Sequence, residues 1–501
     1  MEEGYHAGAG APSGIRGVFR ARGQTRTEMN PVQLPPLTPR TPTSPQALRS
    51  VAGPSSPAPS GDRFQAGSSP REVRLSEAAQ VVFGNGPLLD PLEVWRQDLK
   101  TSVSSLGVSG EGSILAQVRE GYRTLARQDG TEGPRATHEN LGCLPAPGSG
   151  GSTWISKGGR VIHQGASGKV LGEWDARWAV REPLVPLPDG SVLAVPCAEG
   201  KIARVGPDGT ALWESRVVPP GEYGGITAPP TLAPGGDRLY VNQSGSLHAL
   251  DLETGEVRWS RDREDLVQTL WFNTRPAVSP DGDVFVNGDS TLQCLAPDGT
   301  LRWAWSGVSR RRIEQVPPEL RQDHLDPSWG PMSCPPAVSA DGSRVYCGGR
   351  AVGEAGANLH ALDREGREAW SARLDEHLCL DQLRVGEDGT IYAAGTSYEM
   401  DLPKGQQSHH AHVYALSPEG EVLWHYRLPD AEGQDYGFST WMAVQGRTVY
   451  LADSWGTVAA LHPDAANERV RLAGTAAGPG TIVQGETEVM IGGLKLPVRQ
   501  G

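Results

Sequence analysis

Residues 245–259 are GSLHALDLETGEVRW, and this phrase carries the clearest structural pattern in the chain. In its first half, Leu247 and Ala249 are predicted to lie on one face of a β-strand. His248 and Leu250 then lie on the other face. The Thr-Gly pair that follows supplies the positive-φ residue of a tight turn, and a second short strand ends in tryptophan. The phrase therefore predicts a β-hairpin.

The phrase is repeated along the chain, and such self-similarity indicates a repeat architecture. Clear copies that end in tryptophan occupy residues 201–213, 292–303, 358–370 and 412–424. Weaker copies occupy residues 122–134, 163–174 and 456–470. A second hairpin with an Asp-Gly turn precedes several copies, at residues 277–288, 337–349 and 385–395. Two linked hairpins predict a four-stranded antiparallel unit.

A single unit of this kind exposes apolar surface on both faces, so it must stack on neighbours. Closing the stack into a ring leaves only short, protected strand edges, which is the β-propeller solution. The repeats end near residues 95, 134, 174, 213, 259, 303, 370, 424 and about 470, which predicts about eight blades. The terminal tryptophans are predicted to wedge between adjacent blades.

The two ends of the array are predicted to meet in one blade. Residues 481–493 echo residues 442–454, and this partial copy is predicted to pair with the early strand at residues 92–95. Counting that composite blade gives nine blades, whereas merging a degenerate early repeat returns eight. The sequence leaves both counts open.

The pattern G-x-L-x-A-L-D-x-x-T-G-x-x-x-W resembles the repeat of the pyrroloquinoline-quinone (PQQ)-like β-propeller family, over about residues 90–500. The family includes quinoprotein dehydrogenases and BamB-like outer-membrane assembly scaffolds. The resemblance implies an all-β PQQ-like propeller and leaves function open, because function resides in sites added to a fold.

This sequence departs from both kinds of relative. The dehydrogenases typically carry adjacent cysteines beside the cofactor, a Glu/Asn/Asp calcium set and an export signal. Here no two cysteines are adjacent, so neither PQQ nor calcium is expected; they stand at residues 143, 197, 294, 334, 347 and 379. The scaffold lipoproteins need a lipidated cysteine near their start, and the first cysteine here is Cys143.

Composition excludes several classes of protein. The chain has 501 residues and a formal net charge of −13, which argues against general nucleic-acid binding. No apolar run is long enough to span a bilayer, and the first residues lack the apolar stretch of a secretory signal. A cytoplasmic bacterial protein is the expectation. The scattered cysteines indicate neither a disulfide framework nor a zinc site.

The first part of the chain differs from the rest. Residues 1–75 contain 11 Pro, nine Arg against five acidic residues, and no Trp, whereas all 14 Trp lie beyond residue 90. Such a segment cannot bury enough apolar surface to offset the entropy of ordering. Residues 1–80 are therefore predicted to be a disordered or extended Pro/Arg-rich arm, and residues 81–501 the propeller.

Three insertions lengthen the repeats, at residues 306–330, 350–357 and 396–411. Their positions in the repeat predict that all three rise from one face of the ring, and long loops on one face are the usual place for binding. The binding candidates from the first insertion are Arg310, Arg311, Arg312, His324 and Trp329, and those from the third are Tyr398, Glu399, His409, His410 and His412.

The chemistry of these candidates has open alternatives. The three arginines either clamp a carboxylate or phosphate, or pair with the acidic residues Glu314, Glu319 and Asp323 of their own loop. The histidines either hold a divalent metal together with Glu399 or Asp401, or belong to an exposed polar hairpin loop. Whether a metal binds is left unknown.

Two functions are compatible with these features. The first is a non-catalytic scaffold that binds a protein partner through the loop-rich face and uses the arm as a tether, in a larger assembly if the arm becomes ordered. The second is a quinoprotein-like oxidoreductase or a metal-dependent enzyme at the mouth of the ring. No P-loop, G-x-S-x-G or H-E-x-x-H motif is present, so no catalytic residue is predicted.

Overall fold

The computed structural model describes residues 91–476 and three short strands after them. Gaps fall at residues 110–111, 134–135, 138–141, 178, 181–182, 196–199, 218–227, 244, 263–265, 267–273, 289, 317–333, 351–356, 376, 402–405 and 430–439. The predicted N-terminal arm, residues 1–80, lies outside the described residues.

Eight antiparallel sheets, the blades, follow one another along the chain. In each blade the strands are called A to D from the innermost to the outermost. Strand β1 (Glu93–Asp98) precedes the first of them. Blade 1 is β2 (Val103–Val108), β3 (Ile114–Val118), β4 (Gly121–Leu125) and β5 (Ala136–Thr137). Blade 2 is β6 (Ala146–Pro147), β7 (Thr153–Lys157), β8 (Arg160–Gln164) and β9 (Val170–Asp175). Blade 3 is β10 (Val185–Pro186), β11 (Val192–Ala194), β12 (Lys201–Val205) and β13 (Ala211–Arg216).

The later blades repeat this pattern. Blade 4 is β14 (Thr231–Leu232), β15 (Arg238–Gln243), β16 (Ser246–Asp251) and β17 (Val257–Arg261). Blade 5 is β18 (Ala277–Val278), β19 (Val284–Asn287), β20 (Thr291–Leu295), β21 (Leu301–Ser306) and an additional strand β22 (Arg311–Arg312). Blade 6 is β23 (Cys334–Val338), β24 (Arg344–Gly348), β25 (Leu359–Asp363) and β26 (Glu368–Ala372). Blade 7 is β27 (Leu378–Val385), β28 (Ile391–Asp401), β29 (Gln406–Leu416) and β30 (Val422–Arg427).

The last blade closes the ring. Its inner strands are β31 (Thr440–Gln445), β32 (Thr448–Asp453) and β33 (Thr457–Leu461), and β1 supplies its outer strand by pairing with β33. The innermost strands of the last and first blades, β31 and β2, contact each other. The all-β propeller is thus confirmed, with eight blades rather than nine.

The predicted partner of the early strand was wrong. The early strand β1 pairs with β33, and the strands described near the end of the chain form a separate sheet of β34 (Val483–Gln484), β35 (Glu488–Ile491) and β36 (Leu494–Pro497). The place beside β33 goes to β1 because the chain leaves the blade after Leu461 in a helix, α1 (Ala465–Ala476). That helix replaces the second strand of the weak repeat at residues 456–470.

The core lies between the blades. In β16, Leu247 and Ala249 pack with the aliphatic side chains of blade 5, whereas Leu250 packs with those of blade 3. All three side chains are fully buried. Burying each leucine stabilises the folded state by roughly 1.5–3 kcal/mol. Because the side chains alternate, this strand contributes to the interfaces on both sides of its blade, as predicted.

The tryptophan wedge is also confirmed. Trp213 at the end of blade 3 lies against Gly255 in the C–D turn of blade 4, and its Nε1 donates to the carbonyl of Leu252 at 3.0 Å. Trp95, Trp259, Trp303 and Trp370 donate to the carbonyls of Arg127, Pro297, Arg364 and Pro418 in the next C–D turns. A flat ring and one hydrogen bond thus join each of these blades to its successor.

Two 3₁₀ helices, Ser149–Gly151 and Ile313–Gln315, complete the described secondary structure. Within the described residues, no helix has both the length and the apolar character needed to cross a membrane.

Candidate functional site

The long insertions of blades 5 and 7 share one face of the ring. In an antiparallel blade, the B–C hairpin and the D–A connection emerge at the same edge. Strand β22 pairs with the end of β21 at this edge, and β28 and β29 extend beyond it. We call this edge of blades 5 to 7 the insertion face. Its predicted polarity is confirmed by the strand order.

The blade 7 insertion extends the B–C hairpin of the blade as a β-ribbon. The ladder between β28 and β29 continues without a break from Ile391↔Leu416 to Asp401↔Gln406. Strand β27 stops pairing at Ser397, and β30 stops at His412. Residues 398–401 and 406–410, hereafter the blade 7 ribbon, therefore project beyond the four-stranded sheet as two strands. Tyr398 lies opposite His409 in this ribbon, and Glu399 opposite Ser408.

Arg310 joins two blades. It lies in the turn between β21 and β22 with a positive φ of 56°. Its Nε donates to Glu368 on β26 at 2.9 Å, its Nη2 donates to the other carboxylate oxygen, and Nη2 also donates to Ser371. Burial alone would raise the pKa of Glu368, but hydrogen bonds from His360 and Arg310 outweigh it and lower that pKa to about 2. Arg310 therefore clamps a carboxylate, and the carboxylate belongs to blade 6.

The other two arginines differ from Arg310. Arg312 contacts Glu314, as the ion-pair alternative expected, and donates to the carbonyl of Glu365 on blade 6 at 3.1 Å. The side chain of Arg311 is exposed. Arg310 and Arg312 each form an ion pair with a described carboxylate, whereas Arg311 does not. The guanidinium of Arg311 is therefore presented to solvent on the insertion face.

The histidines of blade 7 lie within the sheet. His412 is buried; its Nε2 contacts Ser397 Oγ at 2.9 Å and its Nδ1 contacts Nε2 of His425 at 2.9 Å. Burial, and secondarily the neighbouring His425, lower the pKa of His412 to about 4. His412 is therefore neutral at physiological pH.

His410 is buried against a cation. Its ring nitrogens lie 3.0–3.1 Å from Nη2 of Arg427. Burial, followed by the charge of His410, lowers the pKa of the half-buried His409. In the described part of the chain, no group of three His, Cys, Asp or Glu side chains has a metal-binding arrangement. The metal alternative stays a hypothesis, because residues 402–405 and the side chains of 398–408 are not described.

The remaining candidates are not placed by the structure. His324 and Trp329 lie in residues 317–333, outside the described part. The assignment of all ten candidates to partner binding stays a prediction.

The innermost strands carry charged residues that the sequence analysis did not single out. Asp381 lies at a bulge in β27 and accepts hydrogen bonds from Thr396 Oγ1 at 3.0 Å and the Thr440 amide at 3.3 Å. Burial raises its pKa to about 7 despite these bonds. Arg384 on the same strand and Arg275 just before β18 are solvent-exposed. Comparing equivalent positions of the repeats could have found Arg384, because four other blades have alanine there.

The family described as outer membrane protein assembly factor BamB matches residues 90–263, 198–325 and 288–483, which together span most of the chain. The chain belongs to the BamB family. No curated protein sequence matches it.

Solved structures extend the similarity of this BamB-family chain at the level of fold. BamB from Moraxella catarrhalis has a TM-score of 0.51 and 14% identity, covering 74% of this chain and 99% of that one. The C-terminal WD40 domain of Sif2 has a TM-score of 0.52 and 13% identity, covering 75% of this chain and 99% of that domain. At these identities the likeness shows the propeller fold alone.

Four of the five described cysteines of this BamB-family propeller are buried, and Cys379 is half-buried. Cys294, Cys334 and Cys347 are buried, and burial raises the pKa of each thiol. A buried thiol of raised pKa is a weak nucleophile. The expectation that neither PQQ nor calcium binds stays a prediction.

Proposed function

We propose that this BamB-family propeller is a non-catalytic scaffold that binds a protein partner through its insertion face. The blade 7 ribbon carries the proposal. Among the described residues, no strand pairs with the outer side of β28 at residues 398–401. Unpaired strand edges are templates for the backbone of another chain, and strand addition is a common mode of peptide recognition.

The frame behind the ribbon is suited to such a role. Arg310 and Arg312 fasten the added strand of blade 5 to blade 6, so the neighbouring part of the insertion face is held by ion pairs and hydrogen bonds. A rigid surface loses little entropy when a partner binds. Arg311 then supplies an exposed cation for an acidic group of the partner.

The Pro/Arg-rich residues 1–80 complete the proposal as a tether. A second, weak contact on a flexible segment raises the effective concentration of the partner at the insertion face. The protein partner, its possible membership of a larger assembly and a cytoplasmic location are parts of this proposal.

The test removes the ribbon without disturbing the blade. Replacing residues 398–409 by Asn-Gly joins Ser397 to His410, which are paired in the ladder, through a two-residue hairpin turn. The matched control is Glu387→Ala, an exposed residue in the A–B turn of the same blade at the opposite edge. A third form lacks residues 1–80.

Each form is expressed in the native cell and isolated after crosslinking. We expect the proteins enriched with the control to be lost with the ribbon variant and reduced about tenfold or more without the arm. Identical partners for all forms would contradict the proposal. A bound quinone, seen by absorbance, or stoichiometric calcium in the purified protein would favour the enzymatic alternative.

A further inference from the structure

One arginine lies on an innermost strand of the ring, and a second lies just before another innermost strand. Arg384 is in β27, and Arg275 stands two residues before β18. The innermost strands β14, β18, β23 and β27 contact one another in that order. These strands border the axial channel, so Arg275 in blade 5 and Arg384 in blade 7 are separated by the single inner strand of blade 6.

Arg384 of blade 7 and Thr231 of blade 4 occupy equivalent positions of the repeat. Arg384 pairs with Tyr392 two residues before the A–B turn, as Thr231 pairs with Tyr240 and Ala277 with Phe285. The equivalent residues of the other blades are small or aliphatic: Gly107, Ala146, Val185, Ala337 and Ala443. Arg384 therefore brings a charge into a ring of otherwise uncharged positions.

The Arg275 side chain hydrogen-bonds to Thr231, the residue of blade 4 that is equivalent to Arg384. Its Nε donates to Thr231 Oγ1 on β14 at 3.0 Å, which directs the guanidinium across the boundary between blades 4 and 5. Nη1 of Arg384 donates to the carbonyl of Leu383 at 2.8 Å. Neither guanidinium forms an ion pair with a carboxylate of the described residues.

Both side chains combine access to solvent with surrounding protein atoms. Solvent reaches each of them, yet burial among surrounding protein atoms lowers the pKa of both, and the charge of Arg384 lowers that of Arg275 further. Two like charges in the same channel repel each other, and an anion between them removes that repulsion.

We infer that the axial channel binds a small oxyanion with two or more negative charges, a phosphate or a polycarboxylate, between Arg275 and Arg384. The planar guanidinium matches carboxylate and phosphate oxygens with two parallel donors. Thr231 acts as a positioning residue that orients Arg275. This site is separate from the insertion face, so it does not depend on the proposed scaffold function.

The test uses residues that the protein itself has at equivalent positions. Arg384→Ala introduces the alanine found at this level in four other blades, and Arg275→Gln introduces the residue of blade 7, Gln382. The control is Arg160→Ala, because Arg160 is exposed on blade 2 and pairs with Glu173 on the same blade. Thermal unfolding first checks that all forms are folded.

Binding of inorganic phosphate and of citrate to the full chain is then measured by titration calorimetry, with chloride keeping the ionic strength constant. We expect one site per chain with a Kd of ~1 mM or tighter for at least one probe. Each single variant should bind about tenfold more weakly, the double variant should not bind, and the control should equal the wild type.

Two results would overturn the inference. One is the absence of binding by either probe to the wild-type chain. The other is equal binding by the wild type and the double variant, which would place the anion elsewhere. Deleting the blade 7 ribbon should leave anion binding unchanged, so failure of the scaffold proposal and failure of this inference are distinguishable.

Discussion

At the scale of single residues, the contact between Trp213 and Gly255 joins blades 3 and 4. Gly255 has a φ of 74°, and a Cβ there would lie 2.6 Å from atoms of the indole ring. Glycine is needed twice, for the left-handed backbone and for the close approach of the ring. The sequence analysis predicted this turn from the need for a left-handed backbone. It did not predict the contact with the indole ring.

We expect Gly255→Ala to destabilise the propeller by about 2–4 kcal/mol, because backbone strain and displacement of Trp213 add together. The matched control is Gly236→Ala in the same blade, where φ is 68° and no atom lies within 4 Å of the added Cβ. The difference between the two variants in urea unfolding measures the interblade contact. Equal losses would show that the indole moves aside without cost.

The histidine pair of blade 7 makes stability depend on pH. Because the pKa of His412 falls from 6.5 to about 4 on folding, the unfolded chain binds more protons between these values. The contribution of His412 is therefore fully present above about pH 6.5 and is lost as the pH falls toward 4, by ~3 kcal/mol in total.

The expected result is a steeper loss of stability on acidification for the wild type than for His412→Gln, in which the residue does not titrate. Urea unfolding at a series of pH values between 4 and 7 measures this slope. His248 has a similarly lowered pKa of about 4, so the slope of the variant is reduced and not abolished. Parallel curves for the two proteins would contradict the assignment.

At the scale of elements, alternation and turn residues predicted the hairpins well because both features are local. Tyr240, Ala249 and Trp259 lie side by side on strands B, C and D, and the two aromatic rings are 5.9 Å apart. Blades 6, 7 and 8 repeat this row with alanine between two aromatic residues. The small central residue lets the two rings approach each other. Because this row recurs, the repeat could be recognised from the sequence.

The helix α1 and the partners of the candidate arginines were not predicted, because both depend on residues that are distant in the sequence. The helix α1 occupies a stretch that resembles the second strand of a repeat, but β1 already fills that place in the sheet. Arg469 of the helix donates to the carbonyl of Val94 instead. The candidate arginines were likewise assigned to ligand binding or to acids of their own loop, and the main partner of Arg310 lies 58 residues away on another blade.

At the scale of the whole molecule, ring closure rests on one strand from the start of the array. Strand β1 buries Val94 and Trp95, and Glu93 accepts a hydrogen bond from Tyr426 of blade 7. Trp95 also packs on Gly130 of blade 1. One six-residue strand therefore contacts blades 7, 8 and 1, and its residues are more than 300 positions away from their partners in blades 7 and 8.

Deleting residues 1–99 removes this strand, whereas deleting residues 1–90 leaves it in place. We expect the shorter deletion to unfold like the full chain. The longer deletion should lose at least roughly 3–6 kcal/mol, because two large apolar side chains lose their burial, and its last blade should exchange amide hydrogens rapidly. Hydrogen exchange of β33 in the two proteins distinguishes local opening of blade 8 from collapse of the ring. If β33 stays protected in the longer deletion, β1 does not close the propeller.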